Sequence, residues 1–252
     1  MRPDFYIAAI GRSGSTLLCN WLTRAPHQLV FNEPFFCRRS NSRLLRIQLA
    51  NFGMAASAGE WREREETAEE RFERIMAKRL EDRRWAFKEV LYEEHEKVLA
   101  GFAPPKIVIT LRNIADAALS FFEKHRTQDN LDRFDDEWVT RYCIRESAGI
   151  VQLTKELDAR RIPRFLLRYE DFIQSEQARK AVQNFLGWTG GGEVAAHFHD
   201  FDRGFEIDRH GSSISPMLRT SCMRDLGDEQ FRRAQAIAER CSEYQRQFGY
   251  AA

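Results

Sequence analysis

The sequence predicts an α/β protein whose mostly parallel central sheet carries helices on both faces, giving three layers. Short apolar runs rich in β-branched or aromatic residues alternate with longer segments of helical periodicity. Strands that alternate with helices favour parallel pairing, and the ligands of such sheets bind at the carboxyl ends of the strands. The chain of 252 residues fits one domain spanning residues 1–252, in which residues 37–84 are expected to form a helical insert.

Five predicted strands are short and apolar. They span residues 5–10, 29–31, 85–90, 107–111 and 165–167. The first strand leads directly into a turn rich in glycine and serine, and the fourth is followed by an arginine. Both turns therefore lie where an α/β sheet binds its ligands.

Seven predicted helices separate or follow these strands. They span residues 15–24, 68–80, 92–99, 114–124, 137–160, 175–186 and 229–248. In the second of them the apolar residues recur at steps of three and four, which gives one apolar stripe among many charges. The charge run at 61–84 is therefore interpreted as a solvated helix, and Gly249 is predicted to cap the last helix.

The charges of the chain nearly balance, with 39 Lys and Arg against 38 Asp and Glu and a net charge of +1. No global field attracts nucleic acid or a membrane surface, so any anion binding must be local. The five cysteines include no Cys-x-x-Cys pair, which argues against zinc and disulfides and for a reducing cytoplasm. We expect neither a leader nor a membrane segment, because no apolar run approaches about 18 residues.

The first turn reads Arg12-Ser13-Gly14-Ser15-Thr16 and opens a helix. The free backbone N–H groups of such a turn, together with the positive end of the helix dipole, make an anion site. A loop that hydrolyses ATP or GTP would read Gly-x-x-x-x-Gly-Lys-Ser/Thr, with the Lys on the outer phosphates. Here no Lys follows Gly14, and Arg12 is the only cationic residue in this turn. The expected ligand is a phosphate or a related sulfur oxyanion.

The second turn follows the fourth strand and begins with Arg112, with Ser120 eight residues further on. An Arg at the carboxyl end of a strand offers a planar fork of donors to a phosphate. Ser120 lies about six residues into the next helix, roughly 9 Å along its axis, so both side chains can reach one phosphate. The alternatives are an ion pair between Arg112 and Asp116 and a Ser120 buried in the helix face.

These two turns resemble the 5′-phosphosulfate loop and the 3′-phosphate motif of sulfotransferases that use 3′-phosphoadenosine 5′-phosphosulfate (PAPS). The resemblance implies a P-loop-like sulfotransferase fold, PAPS as co-substrate, adenosine 3′,5′-bisphosphate as its product, and no metal ion. It also implies that Arg12 stabilises the leaving 5′-phosphate, that the hydroxyls of Ser13, Ser15 and Thr16 assist, and that Arg112 and Ser120 hold the 3′-phosphate.

Two further segments resemble parts of the same family. Tyr169-Glu170-Asp171 is similar to a segment whose Tyr contacts the adenine. The structural alternative is that Asp171 caps a helix while Tyr169 packs in the core, and both interpretations can hold together. The residues Arg209, His210 and Gly211 resemble a basic loop that closes over the 3′-phosphate, with His210 in place of the family's Lys.

Glu33 is the predicted general base, with Lys88 as a second catalytic candidate. The segment around Glu33 resembles the Glu-Pro segment of carbohydrate sulfotransferases and the early glutamate of bacterial glycolipid sulfotransferases. Pro34 is expected to hold Glu33 extended, and flanking aromatic residues could raise its basicity by desolvation. The alternative is a glutamate in an ordinary surface turn, and His27 is a weaker candidate base. Lys88 either faces the transferring group or forms a salt bridge with a neighbour.

The predicted function is transfer of the sulfuryl group to a hydroxyl of a carbohydrate, glycolipid or small metabolite, with the segment 37–84 forming part of the acceptor wall. A P-loop-type kinase or nucleotidase is one alternative, although Arg112 stands where a magnesium-binding Asp is expected. A non-catalytic nucleotide-binding protein on the same fold is the other. His197 and His199 receive no function, because two His without further ligands are more often structural. The sequence predicts no oligomeric state.

Overall fold

A computed structural model describes residues 1–34, 42–62, 64–127, 134–189, 214 and 226–250, except the side chains of 42–44, 68, 69 and 127. Within these residues, five parallel strands form one sheet in the order β2-β3-β1-β4-β5. They are β1 Phe5–Ala9, β2 Gln28–Asn32, β3 Arg84–Glu89, β4 Ile107–Leu111 and β5 Arg164–Arg168. The predicted α/β fold with a parallel sheet is confirmed.

Helices connect the strands and pack around the sheet. Those in the described residues are α1 Ser15–Leu22, α2 Ser42–Asn51, α3 Ala68–Leu80, α4 Tyr92–Gly101, α5 Ile114–Thr127, α6 Asp136–Ala159, α7 Tyr169–Gln174, α8 Glu176–Leu186, α9 Asp228–Arg240 and α10 Ser242–Gln247. No bounds were predicted for α2, which lies in the predicted helical insert, or for α7, because their apolar spacing gives no clear period. The apolar stripe of α3 is buried as predicted, with Phe72, Ile75 and Met76 in the core.

The predicted single helix at 229–248 is wrong, because the chain breaks at Cys241 into α9 and α10. Cys241 leaves the helical region, and its N–H binds the carbonyls of Ile237 and Ala238 in a tightened last turn. The predicted cap at Gly249 is confirmed. Gly249 has a φ of +74°, its N–H donates to the Arg246 carbonyl, and the N–H of Tyr250 donates to the Gln245 carbonyl.

The four strands β1 to β4 are almost fully buried, whereas β5 lies at the edge and exposes Leu166. Such continuous burial is expected of a parallel sheet covered by helices. Among the described cysteines, Cys19, Cys143 and Cys241 are free and buried. No helix in the described part of the chain is long and apolar enough to cross a membrane.

All five strands run in one direction, so their carboxyl ends lie at the same end of the sheet, here called the carboxyl edge. The first turn, Glu33, the end of β3, Arg112 and Tyr169 all follow strands at this edge. His27 precedes β2 and therefore lies at the opposite edge. The topology alone thus excludes His27 from any site built on the two turns.

Candidate functional site

The first turn adopts two left-handed backbone conformations, at Arg12 (φ +69°) and Gly14 (φ +78°). Only glycine fits at Gly14, because a Cβ there would lie 2.3 Å from Cδ2 of Tyr169. The helix α1 begins at this residue without a side-chain cap. The Ser13 hydroxyl binds Oγ1 of Thr110 on β4 at 2.8 Å, which fastens the turn to the sheet. The backbone N–H groups at the start of α1 are therefore offered at the carboxyl edge.

Tyr142 of α6 supports the first turn, and the sequence did not identify it. The backbone N–H of Gly11 donates to the Tyr142 hydroxyl at 2.8 Å, and this hydroxyl donates to the Val90 carbonyl at 2.9 Å. Burial raises the pKa of Tyr142 well above its ordinary value, so the hydroxyl stays protonated. A Cβ on Gly11 would lie 2.7 Å from that hydroxyl. The glycine before Arg12 was the only local signal of this contact.

The second turn meets the first through Arg112, which is only 6% exposed. Nη1 of Arg112 donates to the backbone carbonyl of Arg12 at 2.8 Å, and the guanidinium lies 4.6 Å from the centre of the Tyr169 ring. Its Nε is buried and has no hydrogen-bond partner in the described part of the chain. Nε of Arg12 in turn donates to Oγ of Ser120 at 3.0 Å. Residues a hundred or more positions apart in the chain thus form one connected cluster.

The proposed pairing of Arg112 with Asp116 does not occur as a direct ion pair, since the guanidinium reaches the Arg12 carbonyl instead. The pKa of Asp116 nevertheless depends on the charge of Arg112. Burial raises the pKa of its carboxyl, Arg112 opposes this shift, and Glu170 adds to it. Ser120 is buried in the helix face, as its structural alternative required, and it also accepts the hydrogen bond of Arg12.

Glu33 and Lys88 form an ion pair at the same edge of the sheet. The Lys88 side chain is 1% exposed and that of Glu33 is 25% exposed. The N–H of Glu33 also donates to the Lys88 carbonyl at 2.8 Å, which extends the pairing of β2 with β3 by one residue. The salt-bridge alternative for Lys88 is confirmed, and Glu33 does not stand alone in a surface turn.

The expected extended backbone of Glu33 is wrong, because its φ is +47°. A left-handed backbone costs a residue other than glycine about 1–2 kcal/mol, so contacts around Glu33 must compensate for it. The backbone hydrogen bond to Lys88 and the ion pair with its side chain do so. Beside the pair, Oγ1 of Thr16 donates to Oδ1 of Asn32 at 3.4 Å, which connects it to the first turn.

Tyr169 begins α7, whose N-cap is Arg168. The alternative in which Asp171 caps the helix is therefore wrong: Asp171 lies in the first turn, where its charge favours the positive end of the helix dipole. The Tyr169 ring packs on Gly14 and on the Arg112 guanidinium. The predicted residues Arg209, His210 and Gly211, and the pair His197 and His199, lie outside the described residues.

The site contains no ready nucleophile and no metal-type cluster among its described side chains. Burial raises the pKa of the Cys19 thiol, on α1, to about 12, so it is not a thiolate at neutral pH. Within the described ranges, no group of three His, Cys, Asp or Glu side chains is arranged to hold a metal ion. The described edge offers cations, hydroxyls and several partly exposed carboxylates, among them Glu33.

Comparison with solved structures shows where this architecture recurs. The sulfotransferase domain of the Synechococcus PCC 7002 olefin synthase superposes with a TM-score of 0.64 at 18% identity, covering 100% of this chain and 96% of that one. The sulfotransferase domain of the curacin biosynthetic pathway has a TM-score of 0.59 at 15% identity, covering 100% and 99%. The chain has the sulfotransferase fold.

The same fold occurs in mouse sulfotransferase SULT7A1 complexed with PAP, with a TM-score of 0.51 at 14% identity over 96% of this chain and 84% of that one. No protein-family model matches the sequence, and no curated protein sequence matches it either. The sulfotransferase fold predicted from the two turns is therefore confirmed by structure at a level of identity where sequence comparison gives no match.

Proposed function

We propose that this protein is a sulfotransferase that moves the sulfuryl group of PAPS to a hydroxyl of a carbohydrate, a glycolipid or a small metabolite. The observation that carries the proposal is the direct connection between the two turns, in which Arg112 binds the Arg12 carbonyl and Arg12 binds Ser120. A nucleotide with phosphates on both sides of its ribose needs two neighbouring anion sites, which these contacts bring together. The sulfotransferase fold supports the same conclusion.

The residues present fit this co-substrate. The uncapped start of α1 offers backbone N–H groups to the 5′ phosphosulfate, and Arg112 and Ser120 hold the 3′-phosphate. The buried Nε–H of Arg112 has no partner in the described chain, and a phosphate oxygen would supply one. We assign the adenine to Tyr169, and Arg209, His210 and Gly211 to a loop over the 3′-phosphate.

The proposed chemistry uses Glu33, Arg12 and Lys88. Glu33 accepts the proton of the acceptor hydroxyl as that oxygen bonds to sulfur and the bond from sulfur to the 5′-phosphate oxygen breaks. Arg12 stabilises the charge that develops on the leaving phosphate. Lys88 orients the Glu33 carboxylate through the ion pair. PAPS supplies the activated sulfuryl group, and no metal ion is required.

The remaining parts of the proposal concern the acceptor and the compartment. We assign residues 37–84, which include α2 and α3, to the wall of the acceptor site in a single domain. The acceptor is a carbohydrate or small molecule rather than a nucleic acid. Free cysteines at Cys19, Cys143 and Cys241 support a reducing cytoplasm as the site of action.

Calorimetry and a transfer assay test the proposal. Adenosine 3′,5′-bisphosphate should bind without a metal ion, in the presence of EDTA. Its affinity should exceed that of ATP measured with magnesium. Radiolabelled sulfate should pass from PAPS to a hydroxyl in an acceptor panel. Glu33→Gln should reduce this transfer by about 10²-fold or more while nucleotide affinity is retained. Glu137→Gln on the exposed face of α6 is the matched control.

Each alternative function has its own signature in these measurements. Magnesium-dependent ATP turnover would replace the proposal with a kinase or nucleotidase. Nucleotide binding without transfer to any acceptor, unchanged in Glu33→Gln, would indicate a non-catalytic binding protein.

A further inference from the structure

At the second turn, three backbone N–H groups at the start of α5 bind side chains, unlike those at the start of α1. The N–H of Asn113 donates to Oε1 of Glu170 at 3.4 Å, that of Ile114 donates to Oε1 of Gln245 at 3.4 Å, and that of Ala115 donates to Oδ1 of Asn113 at 2.9 Å. The three N–H groups at the start of α5 are thus occupied by side chains. These three donors are not free for an anion, so the buried Arg112 side chain, whose Nε has no partner in the described chain, is the main donor at this turn.

The backbone of Arg112 is itself held by α10. Its N–H donates to the Tyr244 hydroxyl at 3.2 Å, and the same hydroxyl donates to the Arg112 carbonyl at 3.2 Å. Nε2 of the neighbouring Gln245 lies 3.5 Å from Oδ1 of Asn113. Two consecutive residues of α10 therefore bind the whole turn from Arg112 to Ile114.

Tyr250 extends this arrangement to the residue after Tyr169. Its hydroxyl donates to Oε2 of Glu170 at 2.8 Å, while the Arg168 guanidinium lies 4.4 Å from the centre of its ring. The left-handed Gly249 turns the chain so that the Tyr250 ring stacks parallel to Tyr244, with centres 6.2 Å apart. Tyr244 and Tyr250 are both buried, and burial raises the pKa of each, so both hydroxyls remain donors.

We propose that Tyr244, Gln245 and Tyr250, here called the C-terminal clamp, position Arg112 for recognition of the 3′-phosphate. The inference rests on the proposed function and adds positioning residues to it. A long Arg side chain loses much conformational freedom when it binds a phosphate, and a fixed backbone reduces how much must be lost on binding. The clamp residues do not touch the ligand; they act through Arg112 and Glu170.

The clamp predicts a loss of discrimination rather than a general loss of binding. Adenosine 5′-monophosphate lacks the 3′-phosphate, so its affinity should be nearly independent of the clamp. In Tyr244→Phe, the affinity for adenosine 3′,5′-bisphosphate should fall about tenfold relative to that for the monophosphate, equivalent to about 1.4 kcal/mol. In Tyr250→Phe, which acts through Glu170, the relative loss should be roughly threefold.

The experiment measures both dissociation constants by calorimetry for the full chain and each variant, with thermal unfolding to verify folding. Tyr6→Phe is the matched control, because it removes a buried hydroxyl that binds His95 rather than the second turn. It should lose stability without any change in the affinity ratio. If Tyr244→Phe fails to fold, the decision rests on Tyr250→Phe, whose hydroxyl contacts the side chains of Glu170 and Arg168 rather than the backbone of the turn.

The outcomes separate this inference from the proposed function. A wild-type protein with no preference for the bisphosphate would refute the proposed function and the clamp with it. A wild-type preference that survives in Tyr250→Phe and in a folded Tyr244→Phe would overturn the clamp alone. A proportional loss of both nucleotides would also overturn it, since that is the signature of a general structural role.

Discussion

The two turns at the carboxyl edge offer opposite means of binding an anion. The first uses backbone: glycine and a left-handed arginine shape it, and α1 begins without a side-chain cap. The second relies on side chains, because three N–H groups at the start of α5 already bind Glu170, Gln245 and Asn113. A turn of the first kind depends on local conformation, whereas a turn of the second kind depends on what packs behind it.

Replacing the side chain that dominates the second turn should give the largest effect. Arg112→Ala should weaken the binding of adenosine 3′,5′-bisphosphate by about 10- to 100-fold, because hydrogen bonds to charged groups contribute about 1.5–3 kcal/mol. The affinity for adenosine 5′-monophosphate should change by less than about twofold. Calorimetry measures both, with Arg141→Ala on the exposed face of α6 as the control. Equal losses for the two nucleotides would show that the turns are not independent.

Replacing the glycine of the first turn should affect both nucleotides. Gly14→Ala adds a Cβ 2.3 Å from Cδ2 of Tyr169 at a φ of +78°. We expect the affinity for the bisphosphate and for the monophosphate to fall about tenfold. The reason is that left-handed strain of about 1–2 kcal/mol destabilises the conformation that binds. Gly149→Ala is the matched control, because its Cβ would lie 2.5 Å from Cγ of Tyr92 and would meet Tyr92 rather than a residue of either turn.

That control should destabilise the protein and leave both nucleotide affinities intact. Retained affinity in Gly14→Ala would mean that the first turn does not bind through its backbone.

Ser120→Ala tests the contact between the turns. A neutral hydroxyl contributes about 0.5–1.5 kcal/mol, so the bisphosphate should bind roughly threefold more weakly. Ser147→Ala removes another buried hydroxyl, one that donates to the Ile144 carbonyl, and should leave affinity unchanged. A loss restricted to the monophosphate would contradict the assignment of Ser120 to the second turn.

Asp116→Asn should produce the smallest effect, and in the opposite direction. It removes a negative charge near Arg112, so the bisphosphate should bind about two- to threefold more tightly at neutral pH. Asp158→Asn, beside Arg164 at the other edge, is the control. Weaker binding in Asp116→Asn would show that the carboxylate supports the site rather than opposing it.

The raised pKa of Asp116 also fixes the sign of a stability effect. The folded protein holds this proton more tightly than the unfolded chain, whose Asp has a pKa of about 3.9. Wild-type stability therefore falls relative to Asp116→Asn as pH rises from that value through the raised pKa. Thermal unfolding of both proteins across this pH range measures the difference, and parallel curves would contradict it.

Different parts of the site were accessible to sequence reasoning to different degrees. Gly14 could be found because a tight turn follows the first strand, and Arg112 because a cation follows the fourth strand at its carboxyl end. From the sequence, a salt bridge of Lys88 was one alternative without a named partner, because its pairing with Glu33 depends on β2 and β3 being neighbours. Tyr142 and Tyr244 were missed, because each lies on a helix whose local pattern shows only burial.

The sequence by itself determined the strands, most helices and both turns, because periodicity, glycine conformation and strand ends are local properties. Only the tertiary structure decided that Arg12 reaches Ser120, that Lys88 binds Glu33 and that α10 holds the second turn. These contacts depend on strand order and on which helix covers which part of the edge. Those choices follow from burial of the whole apolar surface, a sum over the chain that no single segment contains.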